Sequence, residues 1–399
     1  MESPAESLAF SSGSLASALG RVQLADVRHS RDDTPELATQ WDPNGIFSNT
    51  NTGPTIPSAA ERDSRTSDPA FAKIGAGACG IVFRLLDSSL AFKVAKDGYG
   101  DDLWNDYIMH RRIFDAYNEF VPGSHQFKIP APCGWVPRDT ESFFGKNPAL
   151  AVAAERECQF PSHVLVTEKI WPLPEPVRSR LIEKYCPDHI KELALKDAAN
   201  KDCLVRLYLG SMRGAANRMF FSLRNFKLHL NHMMDLGLNT EAIAIKMGTA
   251  LAVLHWAAKT DARDVEFVLG SSSLKPCTTG AILGMNDYAG PQSLHAEDFH
   301  KRITEFWVLD FNQVKKISLD QDGVALAVHA ARTNDPYFPR PNGSSPEEKK
   351  VWERFAHSYA DMGRRILAKG GYGEDEAIMS LPRLFLQRWQ DAHAVSPEH

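Results

Sequence analysis

The chain has 399 residues, of which 43% are hydrophobic and 24% charged, with a formal net charge of −5. That balance supports a sizeable core, in one large two-part domain or two ordinary ones, and excludes wholesale disorder. It gives no general attraction to nucleic acid or to an anionic membrane surface, and neither is expected as a partner. Six cysteines lie at 79, 133, 158, 186, 203 and 277 with no Cys-x-x-Cys pair, so neither a zinc ribbon nor a disulfide framework is expected. The start lacks a basic segment followed by an apolar run, and no apolar stretch approaches the roughly eighteen residues that span a bilayer. The expectation is a cytoplasmic or nuclear protein.

In chain order, residues 1–70 are rich in Ser, Pro, Thr, Asp and Asn and read as a disordered arm, with a weak helical pattern over Ser7–Val22. Order is expected from Phe71. Lys73–Leu86 and Leu90–Ala95 read as strands about a glycine-rich turn. Leu103–Phe120 reads as a helix, with Trp104, Tyr107, Ile108, Arg111 and Phe114 on one face and Pro122 closing it. Strand-like pieces follow at Phe127–Ile129 and His163–Glu168, separated by a loop-rich stretch over Pro137–Pro148. Prolines 172, 174 and 176 mark a linker, and helical patterns dominate beyond it. Expected there are a helix at Val177–Tyr185, a short strand at Cys203–Leu209 and a helix over Leu223–Met234. The strongest helix spans Thr240–Ala258, with Ile243, Met247, Ala250, Leu251 and Leu254 in one stripe and Asn239 or Thr240 as cap. Two strand-like runs, Val265–Leu269 and Phe306–Leu309, flank a Gly/Ser/Pro-rich stretch near 271–293. Helices over Pro346–Ala368 and Leu381–Ala394 close the chain.

Four pieces carry chemistry. The run Ile74-Gly-Ala-Gly-Ala-Cys-Gly-Ile-Val-Phe83 contains Gly75, Gly77 and Gly80 in the Gly-x-Gly-x-x-Gly spacing. That spacing serves dinucleotide sites and kinase glycine loops alike, and also occurs in plain hairpin turns. A dinucleotide site requires a helix to open after the glycines. Ile81–Leu86 is instead β-branched and apolar, which favours a strand and the hairpin arrangement of kinases. Lys93, in Ala91-Phe92-Lys93-Val94-Ala95, is either a solvated edge residue or a phosphate-binding lysine steadied by a helix carboxylate. Asp106 is the best candidate for that carboxylate, one methylene shorter than the Glu of kinases.

The third piece is the polar loop after the strong helix, Lys259-Thr-Asp-Ala-Arg-Asp-Val-Glu-Phe267. It is either an ordinary charged surface loop or a catalytic loop. In the second case Asp261 takes the place of the catalytic aspartate, Asp264 competes for it, and Glu266 falls five residues on as a Mg²⁺ ligand. The fourth piece is Phe306-Trp-Val-Leu-Asp-Phe-Asn312. Asp310 there either caps a turn or binds the metal that bridges phosphates. Asp310 follows Asp261 by 49 residues, and the loop near 271–293 accommodates the excess, since each doubling of a loop costs only about 0.6 kcal/mol. Together these pieces predict an α+β, protein-kinase-like bilobal fold. A small β-rich N-lobe would cover 71–170 and a larger, mainly helical C-lobe 171–399.

The run Leu254–Trp256 through Asp261–Gly270, with Trp307–Gln313, Val164–Pro174 and Asn334–Pro339, resembles a fungal family of unknown function. That family is sometimes labelled zinc finger protein and is related to protein kinases and aminoglycoside phosphotransferases. The resemblance covers roughly residues 71–395. It implies a kinase-like fold and a hinge at Glu168–Ile170 that meets adenine through backbone groups. The zinc label finds no paired Cys/His spacing in this chain.

The expected activity is ATP- and Mg²⁺-dependent transfer of a γ-phosphoryl group to a hydroxyl of a protein or small-molecule acceptor. The alternative is an inactive pseudokinase that serves as a binding or regulatory scaffold. Lys259 for His, Glu266 for Asn, Asn312 for Gly and the lack of an Ala-Pro-Glu signature motivate that alternative.

Overall fold

Three short antiparallel strands open the described part of the chain, because glycine and polar residues interrupt β-branched and aromatic runs there: β1 (Phe71–Ala76), β2 (Gly80–Leu85) and β3 (Leu90–Ala95). The computed structural model describes residues 70–86, 88–121, 126–214, 221–273 and 302–394. The expected N-terminal arm and its helix lie outside these residues. After β3 comes the 21-residue helix α1 (Gly100–Phe120). Strands β4 (Pro132–Val136) and β5 (Val164–Glu168) complete a five-stranded sheet of order β1-β2-β3-β5-β4, antiparallel at every pairing.

The two-residue period of β3 sends Phe92 and Val94 to one face and Ala91, Lys93 and Ala95 to the other. Phe92 and Val94 pack with Phe71, Phe83 and Val166 beneath α2 (Glu141–Lys146) and α3 (Pro148–Ala154), through Phe143 and Leu150. Ala95 packs with Leu103 and Tyr107 of α1, and with Trp135 and Leu165. Lys93 therefore lies on the face that α1 covers.

Beyond the prolines come α4 (Glu175–Tyr185) and α5 (Lys191–Lys196), then β6 (Val205–Tyr208) and β7 (Phe226–His229). Next are α6 (Leu230–Asp235), α7 (Thr240–Ala252) and the long hairpin strands β8 (Glu266–Ser273) and β9 (Arg302–Leu309). The second sheet has order β7-β6-β8-β9, parallel only between β6 and β7. Three helices follow: α8 (Gln321–Thr333), α9 (Pro346–Leu367) and α10 (Glu376–Ala394). Helices α7, α9 and α10 build the largest core around Trp256, Phe355, Tyr359, Phe385 and Trp389. The architecture is thus mixed α+β with two sheets. Among the described residues no helix is long and apolar enough to cross a membrane.

Local chemistry sets several boundaries. Asn239 Oδ1 accepts from the Ala242 amide at 2.9 Å and starts α7, whose expected apolar stripe is fully buried. At its far end α7 opens into a wide turn over Val253–Ala257. Ser345 and Glu348 cap α9 reciprocally: Ser345 Oγ accepts from the Glu348 amide at 3.1 Å, and the Glu348 carboxylate accepts from the Ser345 amide at 2.9 Å.

Five expectations need correction. Leu223–Met234 is a strand followed by a short helix, because β7 pairs along β6 and that partner is remote in sequence. Pro137–Pro148 contains helix α2 and leads into α3, where Phe143 and Leu150 find an apolar sheet face to cover. Phe127–Ile129 contributes a single bridge, Lys128 to Trp307, and the strand lies at Pro132–Val136 despite its proline and glycine. Helix α1 buries Leu103, Asp106, Tyr107, His110 and Ile113, whereas Trp104 is exposed. Two polar residues on the buried face disguised its direction. Strand β8 runs on to Ser273, and most of the expected inserted loop lies outside the described residues.

Candidate functional site

Lys93 is the centre of the site. Its Nζ donates to Asp106 Oδ2 at 2.7 Å and to Asp310 Oδ1 at 2.8 Å, which joins the first sheet, α1 and the end of β9 in one cluster. Its side chain is 15% exposed and that of Asp106 only 4%. Burial works against the ammonium charge, but Asp106 and Asp310 outweigh it and hold the lysine pKa well above its usual range. The Asp106–Lys93 pair expected from sequence is therefore formed, and the short aspartate reaches.

Helix α1 also grips the segment after β9. Asp106 Oδ1 accepts from the Phe311 amide at 3.1 Å, and the Phe311 ring lies 4.9 Å from that of His110. Asn105 Nδ2 donates to the carbonyls of Asn312 and Val314 at 2.8 and 3.0 Å. Asn105 and His110 were not singled out from sequence. The signal was the i, i+4 spacing of Asp106 and His110, two titratable groups on one helix face.

The glycine loop sits above this cluster. The Gly77 amide donates to the Gly80 carbonyl at 2.9 Å, and Lys96 Nζ donates to the Gly77 carbonyl at 2.7 Å. A Cβ added at Gly80 would meet the Val94 carbonyl at 2.9 Å and Lys93 Cγ at 3.0 Å, so this glycine is required by the hairpin itself. Gly77 differs: a Cβ there would meet nothing within 4 Å, and its φ is ordinary. Gly75 has only Val82 nearby, at 3.7 Å. The protein's own packing therefore does not require the glycines at 75 and 77. Buried Cys79 lies beside Lys93, and burial raises its thiol pKa despite the neighbouring ammonium.

The loop after α7 is held in unusual backbone geometry. Among the described residues five non-glycine residues have positive φ, and four of them are Lys259, Ala262, Asp264 and Asp310. Such conformations cost of order 1–3 kcal/mol each and cluster at functional sites. Two clamps hold the loop. Asn334 Oδ1 accepts from the Asp264 amide at 2.7 Å while its Nδ2 donates to the Ala262 carbonyl at 3.0 Å. Asp261 Oδ1 accepts from the amides of Lys315 and Arg263 at 2.9 and 3.1 Å.

The two candidate aspartates thereby separate. Asp261 is 5% exposed and its carboxylate is engaged with backbone. Asp264 is exposed, accepts from Gln313 Nε2, and has its pKa raised by burial and by the charge of Asp310. Glu266 pairs with Arg206 of β6. Burial is the main reason that its carboxyl is pushed up to about 7, with Arg206 opposing and Asp310 and Asp264 adding to the rise.

Glu168 and Ile170 lie apart from the Lys93 cluster. The Glu168 amide donates to the Ala131 carbonyl at 2.8 Å, and the Lys169 amide donates to the Ser89 carbonyl at 2.7 Å. Two backbone donors of the expected hinge are thus used within the protein. Ile170 packs where Gly270 leaves room, since a Cβ on Gly270 would meet its Cγ2 at 2.5 Å.

Among the described residues no three His, Cys, Asp or Glu side chains converge closely enough to hold a metal ion alone. Magnesium, however, commonly takes one or two carboxylates and completes its shell with water and substrate phosphates. Asp106, Asp264, Glu266 and Asp310 lie among three cations, Lys93, Arg206 and Arg263.

Comparison with known proteins adds little to this geometry. A family described as "zinc finger protein" matches residues 306–371, from the end of β9 into the turn after α9. No curated protein and no solved structure matches the chain. The resemblance to a kinase-related family over roughly 71–395 is thereby corrected: the match is short, carries the zinc description, and no kinase-like family is found. The matched segment holds no cysteine and two histidines, His329 and His357, fewer than the four ligands of a structural zinc site.

Proposed function

We propose that the chain binds a nucleoside triphosphate such as ATP with Mg²⁺ between a small sheet-rich lobe and a larger helical lobe, in a kinase-like arrangement. We further propose that it passes the terminal phosphoryl group to a hydroxyl acceptor. The observation that carries this reading is Lys93, held between Asp106 and Asp310 beneath a loop whose Gly75 and Gly77 answer no packing need of the protein.

Each residue has a definite task in this reading. The backbone of Gly75–Gly80 approaches the phosphates closely because no Cβ intervenes. Lys93, oriented by Asp106, meets a phosphate oxygen as a fixed charge. Asp310 and Glu266 would hold the cation, which would supply charge neutralisation on the phosphates. The acceptor oxygen attacks the γ-phosphorus as the bond to the bridging oxygen breaks, and the hydroxyl proton passes to a carboxylate. Asp264 suits that step better than Asp261. It is exposed beside Asp310, whereas Asp261 is 5% exposed and its Oδ1 already holds the amides of Arg263 and Lys315. Phosphoryl transfer draws mainly on such positioning and electrostatics.

A second reading, nucleotide binding without transfer, is favoured by one feature: Glu266 is already neutralised by Arg206. Titration calorimetry with ATP–Mg²⁺, followed by a γ-phosphate turnover assay, separates the two. Binding with turnover lost in Asp310→Asn supports transfer. Binding without turnover supports the scaffold. Absence of binding at millimolar nucleotide would sink both.

A further inference from the structure

Resting on the transfer reading above, we infer that Arg263, Lys315 and Lys316 form the acceptor site, and that the acceptor is a small hydroxyl compound bearing a phosphate or carboxylate group.

The backbone brings these cations together from two segments remote in sequence. Thr260 bridges antiparallel to Lys316, the Asp261 amide donates to the Lys315 carbonyl at 2.9 Å, and the Ile317 amide donates to the Lys259 carbonyl at 2.9 Å. Asp261 Oδ1 in turn accepts from the amides of both Arg263 and Lys315, so these two residues are pinned to one oxygen atom. Their charges reach the loop aspartates. Burial raises the Asp261 pKa, and its backbone bonds and the charges of Lys315 and Arg263 oppose that rise. Burial and Asp310 raise the Asp264 pKa, and Arg206, Arg263 and Lys93 oppose them. The cations thus stand beside Asp264, which takes the hydroxyl proton in the transfer reading.

Arg263 is the decisive member. Lys315 and Lys316 are exposed, and solvated lysines are ordinary on a surface. Arg263 is half-buried and lies between Ala262 and Asp264, both at positive φ. Its Nε donates to Gln313 Oε1 at 3.3 Å and its Nη1 to Thr333 Oγ1 at 3.4 Å, both neutral oxygens. Gln313 is itself anchored on Asp264. The guanidinium is therefore aimed by neutral groups, and its charge is left uncompensated by a direct partner. The acids nearby are already engaged: Asp261 by two amides, Asp264 by Gln313, Glu266 by Arg206, Asp310 by Lys93, and Asp320 by the Gly323 amide at the start of α8. A carboxylate or phosphate is the group that an arginine fork matches best.

The extent of the patch selects the partner. Three cations on two short segments match one or two anionic groups rather than a long acidic stretch. The chain as a whole carries a net charge of −5, so no general field draws anions to it and a local group of cations must do so. An anionic group held at Arg263 fixes a hydroxyl of the same molecule beside Asp264, which is how binding away from the reacting atom orients it.

The test uses the full chain, first without nucleotide. Titration calorimetry compares glycerol phosphate and glycerate with glycerol. The proteins are the wild type, Lys315→Gln, Arg263→Gln and a control, Lys350→Gln, at an exposed position on α9. Circular dichroism checks each fold, and exposed Lys315 carries the test if the Arg263 variant does not fold. The anionic compounds are expected to bind more tightly than glycerol, less so as salt is added, and the tighter of the two names the group. Lys315→Gln and Arg263→Gln should each weaken that binding about tenfold, as loss of one charge-assisted hydrogen bond implies, and Lys350→Gln should not. In turnover with ATP–Mg²⁺ the same two variants should raise KM for the anionic compound rather than lower kcat. Equal binding of charged and neutral compounds, or anion binding that survives both substitutions, overturns the site. A polyglutamate peptide that binds through Arg263 where the small anions do not would overturn the small-molecule acceptor in favour of an acidic polypeptide. Anion binding that depends on Arg263 and Lys315, in a protein that binds no ATP, supports the anion site and removes the nucleotide reading. ATP binding with no preference for anions removes the site alone.

Discussion

Removal of the Lys93 charge is the sharpest perturbation of this fold. Lys93→Met leaves a side chain of similar length that can still fill its space against α1. It strips the counter-ion from Asp106, whose side chain is 4% exposed, and from Asp310, whose side chain is 22% exposed. Breaking a buried ion pair from one side costs about 3–5 kcal/mol, because a desolvated charge is left without a partner. The lower end is expected here, since Asp106 keeps the Phe311 amide at 3.1 Å and Asp310 keeps partial contact with water. Lys93→Met/Asp106→Asn should recover part of that loss. Asparagine keeps an oxygen for the Phe311 amide and buries no charge. Equilibrium urea unfolding of the wild type, both single variants and the double variant measures the coupling. A coupling of about 2 kcal/mol is expected, within the range for residues in direct contact. If the single effects simply add, within about 0.5 kcal/mol, Lys93 and Asp106 are not paired in solution and the site falls with them.

The two glycines of the loop should behave oppositely. Gly80→Ala places a methyl 2.9 Å from a backbone carbonyl and should cost about 1–3 kcal/mol in urea unfolding. Gly77→Ala meets open space, so stability should hold while calorimetry shows weakened nucleotide binding; unchanged binding would remove the loop from the site. Asp261→Asn should lower stability by about 1–3 kcal/mol, as it weakens the acceptor for two backbone amides. Asp264→Asn should leave the melting midpoint in place and abolish turnover, and the opposite pattern would reassign the base. Acid sensitivity should trace in part to His255, which is fully buried, contacts the Tyr359 hydroxyl at 2.8 Å, and is lowered by burial to about 3. The unfolded chain binds a proton there below about pH 6.5 and the native chain does not, so stability falls as pH falls, by about 1.4 kcal/mol per unit for this group. Urea midpoints compared between pH 7 and 5 should show a smaller drop in His255→Gln; an equal drop would assign the sensitivity elsewhere.

The zinc description is attached to residues 306–371. That segment supplies Asp310, Phe311 and Asn312 to the Lys93 cluster and contains the apolar face of α9. Its role in the fold is to carry one carboxylate to the site and to close the largest core.

Local chemistry by itself determined much of the scaffold. The strand–glycine–strand hairpin, Lys93 on β3, the Asn239 cap of α7 and the Ser345 cap of α9 all rest on residues close in sequence, whose propensities and spacing act without distant partners. The buried face of α1, strands β4 and β7, and helices α2, α3 and α8 were hidden, since each depends on a surface supplied from elsewhere. The site divides the same way. Glycine spacing and apolar context marked Gly75–Gly80 and Lys93, and Asp106 lies only 13 residues from the lysine. Asp310 reaches that lysine across 217 residues, and only the docking of the segment after β9 against α1 brings it there. Asp261 and Asp264 were told apart only by the amides of Arg263 and Lys315, which both bond Asp261. The partner of Glu266 turned on a strand pairing with β6. Charges are legible in a sequence, but their counter-ions are chosen by the fold, because the interaction depends on distance and on how much water has been removed.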